Sequence, residues 1–161
     1  ILVVPGDRDR IRDAGGGRTY RLHGPPIPRQ RPYRFMLATR SVSRIVQHER
    51  PDLIEIGSPF IVPWIVRRAT RALDVPLVCF HHTNLPDQFA PRDGSTGLLH
   101  RAMHRAVWDY MRRLDRLFPL TIVASRAAER DLTAAGIDRI ERVPLGVDLQ
   151  QFTPARRVSA T

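Results

Sequence analysis

The chain has 161 residues, 42% of them hydrophobic, which supports one buried core and leaves little for a second. Its formal net charge of +10 comes from 26 arginines with no lysine, a bias that follows either from a GC-rich gene or from an acidic partner such as a phospholipid surface, a nucleotide diphosphate or nucleic acid. The longest nearly apolar stretch, Pro59 to Val66, falls well short of the about 20 residues that span a bilayer, so a transmembrane helix is excluded and peripheral contact stays open. Cys79 is the single cysteine, and no charged-then-apolar leader precedes Ile1, so a cytoplasmic setting is expected.

Ile1 to Val4 reads as a short buried strand halted by Pro5-Gly6. Asp7 to Pro32 is turn-rich, with Gly15-Gly16-Gly17 and Pro25, Pro26, Pro28 and Pro32, and within it only Thr19 to His23 could pair as a strand. From Tyr33 the apolar residues Phe35, Leu37, Ala38, Val42, Ile45 and Val46 recur at helical spacing up to Arg50, where Pro51 forbids continuation. Leu53 to Ile56 is a strand closed by Gly57, and Phe60 to Leu73 an apolar helix carrying Arg67, Arg68 and Arg71. Leu77 to Phe80 is the next strand, ending on His81-His82-Thr83-Asn84.

Asp87 to Gly97 is loop-like, with Gly94-Ser95-Thr96-Gly97 flexible. Leu98 to Leu117 is the longest helix, amphipathic and basic, with Leu99, Met103, Ala106, Tyr110 and Leu114 on its predicted inner face. Thr121 to Ala124 is a strand, Ser125 an N-cap, and Arg126 to Ala135 a helix stopped by Gly136. Ile140 to Val143 is the last strand, leading into the turn-rich Pro144 to Asp148.

This alternation predicts an α/β fold: a doubly wound, mostly parallel, Rossmann-like sheet with right-handed crossovers. Ligands of such sheets sit beyond the carboxyl ends of the strands. That rule singles out Gly57-Ser58-Pro59, His81 to Asn84, and Ser125-Arg126.

Three stretches, in order, carry a resemblance: Pro51-Asp52-Leu53-Ile54-Glu55-Ile56-Gly57-Ser58-Pro59-Phe60, Val75 to Asn84 with its His82-Thr83, and Arg142 to Pro154 with its Gly146-Val147-Asp148. Together they resemble the N-terminal domain of the retaining GT-B glycosyltransferases, the group that includes bacterial mannosyltransferases and sucrose and glycogen synthases. The resemblance implies a partial acceptor-side domain over residues 1–143 and an interdomain linker over 144–161. It also implies an earlier strand, glycine-rich loop and helix before Ile1, and a donor domain with a Glu-x7-Glu motif after the linker, neither of which this stretch contains. Loss of the earlier strand, central in the family's sheet, would leave a gap in the ladder and an unstable fragment, inactive alone.

On that resemblance His82 is the catalytic candidate, an imidazole able to hydrogen-bond the sugar or acceptor near neutral pH. The other reading is a strand-end histidine bonded to a backbone carbonyl. His81 would point the opposite way by strand alternation. Ser58, Thr83, Asn84 and Asp87 are candidates for the acceptor pocket, Ser58 reading equally as an ordinary turn, and Gly146 and Asp148 belong to the hinge. Arg126 stands where the family usually has an acidic residue, and an N-cap accounts for Ser125.

Other signals lack context. Asp7-Arg8-Asp9 has a metal-binding Asp-x-Asp form but reads as solvated loop, Gly15-Gly16-Gly17 lacks phosphate-loop spacing, and His100 and His104 have no third ligand for zinc. The basic helix from Leu98, with Trp108, Tyr110 and Phe118 among its arginines, reads either as a core-packed helix with a solvated face or as a dock for an anionic membrane. The expected activity is metal-independent, retaining transfer of a hexose from a nucleotide-sugar, GDP-mannose first, to a lipid or small-molecule acceptor. The nucleotide-sugar is a co-substrate and no cofactor is implied. The competing reading is a noncatalytic basic module for anionic membranes or nucleic acid, but the arginines are scattered and no nucleic-acid-binding signature occurs.

Overall fold

The computed structural model describes residues 1–82, 84–89, 97–150 and 152–153. Leu2–Gly6 (β1) pairs parallel with Gly17–His23 (β3), which also pairs antiparallel with Arg10–Ala14 (β2). Asp7 to Pro32 therefore holds a hairpin where the sequence suggested turns. All five residues of β2 are exposed, so its sequence carried no alternation to reveal it. Gly15 and Gly16 make the two-residue turn, and Gly17 closes it at φ +146°, a conformation that favours glycine. Asp9, in the Asp7-Arg8-Asp9 turn, accepts the His23 backbone N–H at 2.6 Å.

After β3 the chain doubles back on itself. Gly24 donates its N–H to the Gly6 carbonyl at 3.0 Å and accepts the Arg34 guanidinium at 2.8 Å, while Phe35 N–H donates to Pro25 O at 2.9 Å. That last bond commits the Phe35 backbone elsewhere, and the first helix starts later than Tyr33, at Thr39–Glu49 (α1). It ends on Arg50 at φ +44°, whose N–H returns to Val46 O at 3.0 Å, just before Pro51.

Val42, Ile45 and Val46 of α1 share a buried core with Tyr20, Leu22 and Met36. A polar bridge reinforces that contact. Arg18 holds Asp13 at 2.8 Å and Glu49 at 2.9 Å, and the Tyr20 hydroxyl donates to the same Glu49 carboxylate. The Tyr20 hydroxyl first and Arg18 second hold the Glu49 carboxyl below its usual range.

The second sheet is Ile54–Ile56 (β4), Leu77–His81 (β5), Leu120–Val123 (β6) and Ile140–Arg142 (β7), parallel throughout and ordered β4-β5-β6-β7. Its connections carry Val62–Ala69 (α2), Leu85–Phe89 (α3), Leu98–Asp115 (α4) and Arg126–Ala134 (α5). This is the Rossmann-like α/β arrangement that the alternation predicted. The helix α3 occupies the start of the expected Asp87 to Gly97 loop, and Gly94, Ser95 and Thr96 lie outside the described residues. Ser125 caps α5 by accepting Ala128 N–H at 3.2 Å, and Gly136 follows the helix at φ +80°.

Of the inner face expected on α4, Leu114 is buried and Tyr110 packs half-buried against the core, but the amino-terminal part is not covered. Met111 and Leu114 are its buried residues, whereas Leu99 is 81% exposed and Met103 and Ala106 are exposed. The helix carries two apolar arcs, and only its carboxyl-terminal turns reach the core. Phe118, just past the helix, is buried, and Trp108 and Tyr110 are half-buried, so these aromatics do not form an exposed membrane face. Among the described residues no helix is long and apolar enough to cross a membrane.

Two expectations follow. A Cβ on Gly24 would lie 1.9 Å from the Phe35 carbonyl oxygen, backbone that cannot step aside, so Gly24→Ala should cost roughly 1–3 kcal/mol in chemical denaturation. At His81 burial depresses the pKa, the His82 charge adds to this, and Asp131 opposes both. The unfolded chain then binds the extra proton, so stability is complete above the ordinary histidine pKa of about 6.5 and falls below it. His81→Asn should flatten the decline in melting temperature between about pH 7.5 and pH 5, measured by circular dichroism.

Candidate active site

The carboxyl ends of β4, β5 and β6 present Gly57-Ser58-Pro59, His81-His82 and Ser125-Arg126 along one edge, with Ile56 in register with Cys79 and His81 with Val123. His82 is exposed and its ring lies against bare backbone: a Cβ built on Gly57 would stand 3.1 Å from His82 Cε1 and 3.6 Å from Nδ1. The imidazole packs 5.4 Å from the Phe80 ring, and Nδ1 is 3.3 Å from Phe80 O. A carbonyl only accepts, so this contact favours the Nδ1–H tautomer and leaves Nε2 as an acceptor. The backbone-carbonyl contact of a structural strand-end histidine is thus present, and it fixes the ring without consuming both nitrogens.

His81 takes a different environment, as alternation requires: it is half-buried and electrostatically close to Asp131 of α5. A small crevice beneath the edge is lined by Gly57, Pro59, Cys79, His81, His82 and Met111, among others. Burial first, then Asp115 and Glu55, pushes the Cys79 thiol up to about 11, so it stays protonated near neutral pH and is no nucleophile. The Tyr110 hydroxyl of α4 donates to Pro59 O at 2.5 Å and lies 3.2 Å from Phe60 O, pinning the loop after β4. Neither Tyr110 nor the fit of Gly57 to His82 was foreseen. A strand-end glycine facing a strand-end histidine one ladder away was the available signal.

The other expected residues are placed as follows. Ser58 is half-buried on the edge beside Gly57. Asn84 accepts Asp87 N–H at 3.4 Å and donates its amide to Asp87 Oδ2 at 2.6 Å, an arrangement that starts α3 and draws the two side chains together. Thr83 lies outside the described residues. Arg126 is exposed at the first position of α5. Gly146 and Asp148 lie in the exposed segment after β7, where Asp148 Oδ1 accepts Gln150 N–H at 2.9 Å and its carbonyl accepts Phe152 N–H at 2.8 Å. His104 accepts the Trp108 indole N–H at 3.3 Å, and among the described residues no three His, Cys, Asp or Glu gather as metal ligands.

A parallel sheet with a histidine and a glycine on its carboxyl edge is shared by several enzyme classes, and comparison with known proteins narrows them. Over 153 residues the chain is 32% identical to a GDP-mannose-dependent alpha-mannosyltransferase of Mycobacterium tuberculosis, covering 95% of this chain and 39% of that protein. It is 31% identical over 162 residues to the sulfoquinovosyl transferase of Arabidopsis thaliana, covering 98% and 30% of the two chains. A GDP-mannose-dependent alpha-mannosyltransferase of Corynebacterium glutamicum is 24% identical over 161 residues, covering 98% of this chain and 37% of that one. The chain thus spans between 30% and 39% of the length of these three relatives. Residues 1–151 match the model of Glycosyltransferase Family 4, and the chain belongs to that family.

Proposed function

We propose that this chain is the acceptor-side part of an enzyme that transfers a hexose from a nucleotide-sugar to a lipid or small-molecule acceptor with retention at the anomeric carbon. The observation that carries the reading is the His82 imidazole seated on Gly57 at the edge where ligands of parallel sheets bind. Transfer breaks the bond between the anomeric carbon and the diphosphate oxygen, forms one to the acceptor oxygen, and releases the acceptor's hydroxyl proton. An imidazole anchored through Nδ1 can hold a sugar or acceptor hydroxyl at Nε2 and orient that attack.

GDP-mannose is the proposed donor, supported by the likeness to two GDP-mannose-dependent alpha-mannosyltransferases. The scheme assigns no metal. Ser58, Thr83, Asn84 and Asp87 would line the acceptor side, Asn84 and Asp87 by shaping the start of α3. The segment around Gly146 and Asp148, within the linker over 144–161, would serve as the hinge to a donor domain, without which residues 1–143 would not turn over. A cytoplasmic setting suits a nucleotide-sugar donor.

In the full-length protein His82→Ala should lower kcat by roughly 100-fold or more with an unchanged melting temperature. Turnover within twofold of the parent, by radiolabelled sugar transfer, removes His82 from the site. Gly57→Ala should act on the same ring: the 3.1 Å contact forces the imidazole aside by a few tenths of an ångström, and kcat should fall roughly tenfold while nucleotide-sugar KM holds.

A further inference from the structure

The exposed face of α2 is the strongest surface feature unused by the site. Ile65, Val66 and Ala69 turn inward, and the opposite face carries Phe60 and Ile61 at the helix entry, then Trp64, Arg67, Arg68 and Arg71. Phe60 is 49% exposed, Ile61 43% and Trp64 43%. None of the three guanidiniums makes an ion pair or side-chain hydrogen bond among the described residues, as most exposed arginines of the chain do not; what sets these three apart is their gathering beside exposed apolar side chains. The three arginines and Trp64 line an open groove against Pro76 and Pro119.

We infer that the exposed face of α2 docks on an anionic lipid bilayer. Three unpaired arginines attract lipid phosphates, and three adjacent large apolar side chains suit the boundary between headgroups and acyl chains, where indole and phenyl rings settle. A free phosphate would use the arginines and leave Phe60 and Ile61 without a role. The apolar end of the face adjoins Pro59, the residue that Tyr110 pins beside the strand edge, and the arginines lie toward the amino ends of β5 and β6, so the helix would lie lengthwise on the lipid surface. The assignment stands on α2 alone and is independent of which sugar is transferred.

Vesicle flotation of the full-length protein tests it. Binding to phosphatidylglycerol-containing vesicles, absent with pure phosphatidylcholine, is expected. Replacing Arg67, Arg68 and Arg71 together by Gln should weaken the partition by roughly a hundredfold, about fivefold per arginine, whereas the triple replacement by Lys should keep most of it. Both variants should melt with the parent, since all three side chains are exposed. Undiminished binding of the Gln variant, equal binding to neutral vesicles, or displacement by inorganic phosphate at matched ionic strength would each overturn the assignment, the last in favour of a free-phosphate site.

Discussion

Burial of β6 is the constraint on which the parallel sheet depends. Val123 is 0% exposed and shares its core with Leu114 of α4, Phe118 just beyond it, and Leu132 of α5, each nearly as deeply buried. The side of β6 that carries Thr121 and Val123 is buried, whereas Leu120 and Ile122 on the other side are half-buried. At the other end of the strand Thr121, also buried, donates its hydroxyl to Asp115 at 3.0 Å, and the same carboxylate meets Arg139 at 3.4 Å. Apolar packing above and a polar clamp below fix the height of β6, and through the ladder that of β5.

Because β5 is held in this way, its last residues leave the sheet at a defined level. His81 remains half-buried near α5, while His82 emerges over the glycine that ends β4. The two histidines divide the properties of imidazole between them. Desolvation favours the neutral form at His81, and an exposed ring anchored at one nitrogen offers the other to a ligand at His82. The edge therefore combines a histidine that resists protonation with one free to exchange hydrogen bonds.

Much of this was legible in the sequence where side chains repeat with a period. The strands around Ile54, Leu77, Ile122 and Ile140 and the helix from Arg126 follow from short apolar runs between glycine, proline and a serine cap. Residues that take their structure from partners distant in sequence were not. The strand from Arg10 to Ala14 has no buried side, so only its ladder with β3 makes it a strand. Phe35 keeps a helical spacing that its bond to Pro25 overrules. The apolar arc Leu99, Met103 and Ala106 is as periodic as the buried one, and nothing local distinguishes the arc that meets the sheet. At the site, the strand-end positions of Ser58 and His82 could be read directly, but Tyr110 reaches Pro59 across a span of 51 residues.

One property of the site edge follows from how thinly β4 is held. Gly57 continues a strand of three residues that, among the described residues, is paired on one side only, to β5. The outer row of β4 amides and carbonyls has no ladder partner among the described residues, so the cradle beneath the His82 ring has the stiffness of a single short ladder and of the Tyr110 tether. Such an edge is compliant: a small rotation of β4 about its one paired side would change the space over Gly57 with little disturbance to the core built on β6. Any strand that hydrogen-bonds to the outer row would stiffen the edge and set how closely an imidazole and a sugar hydroxyl can approach.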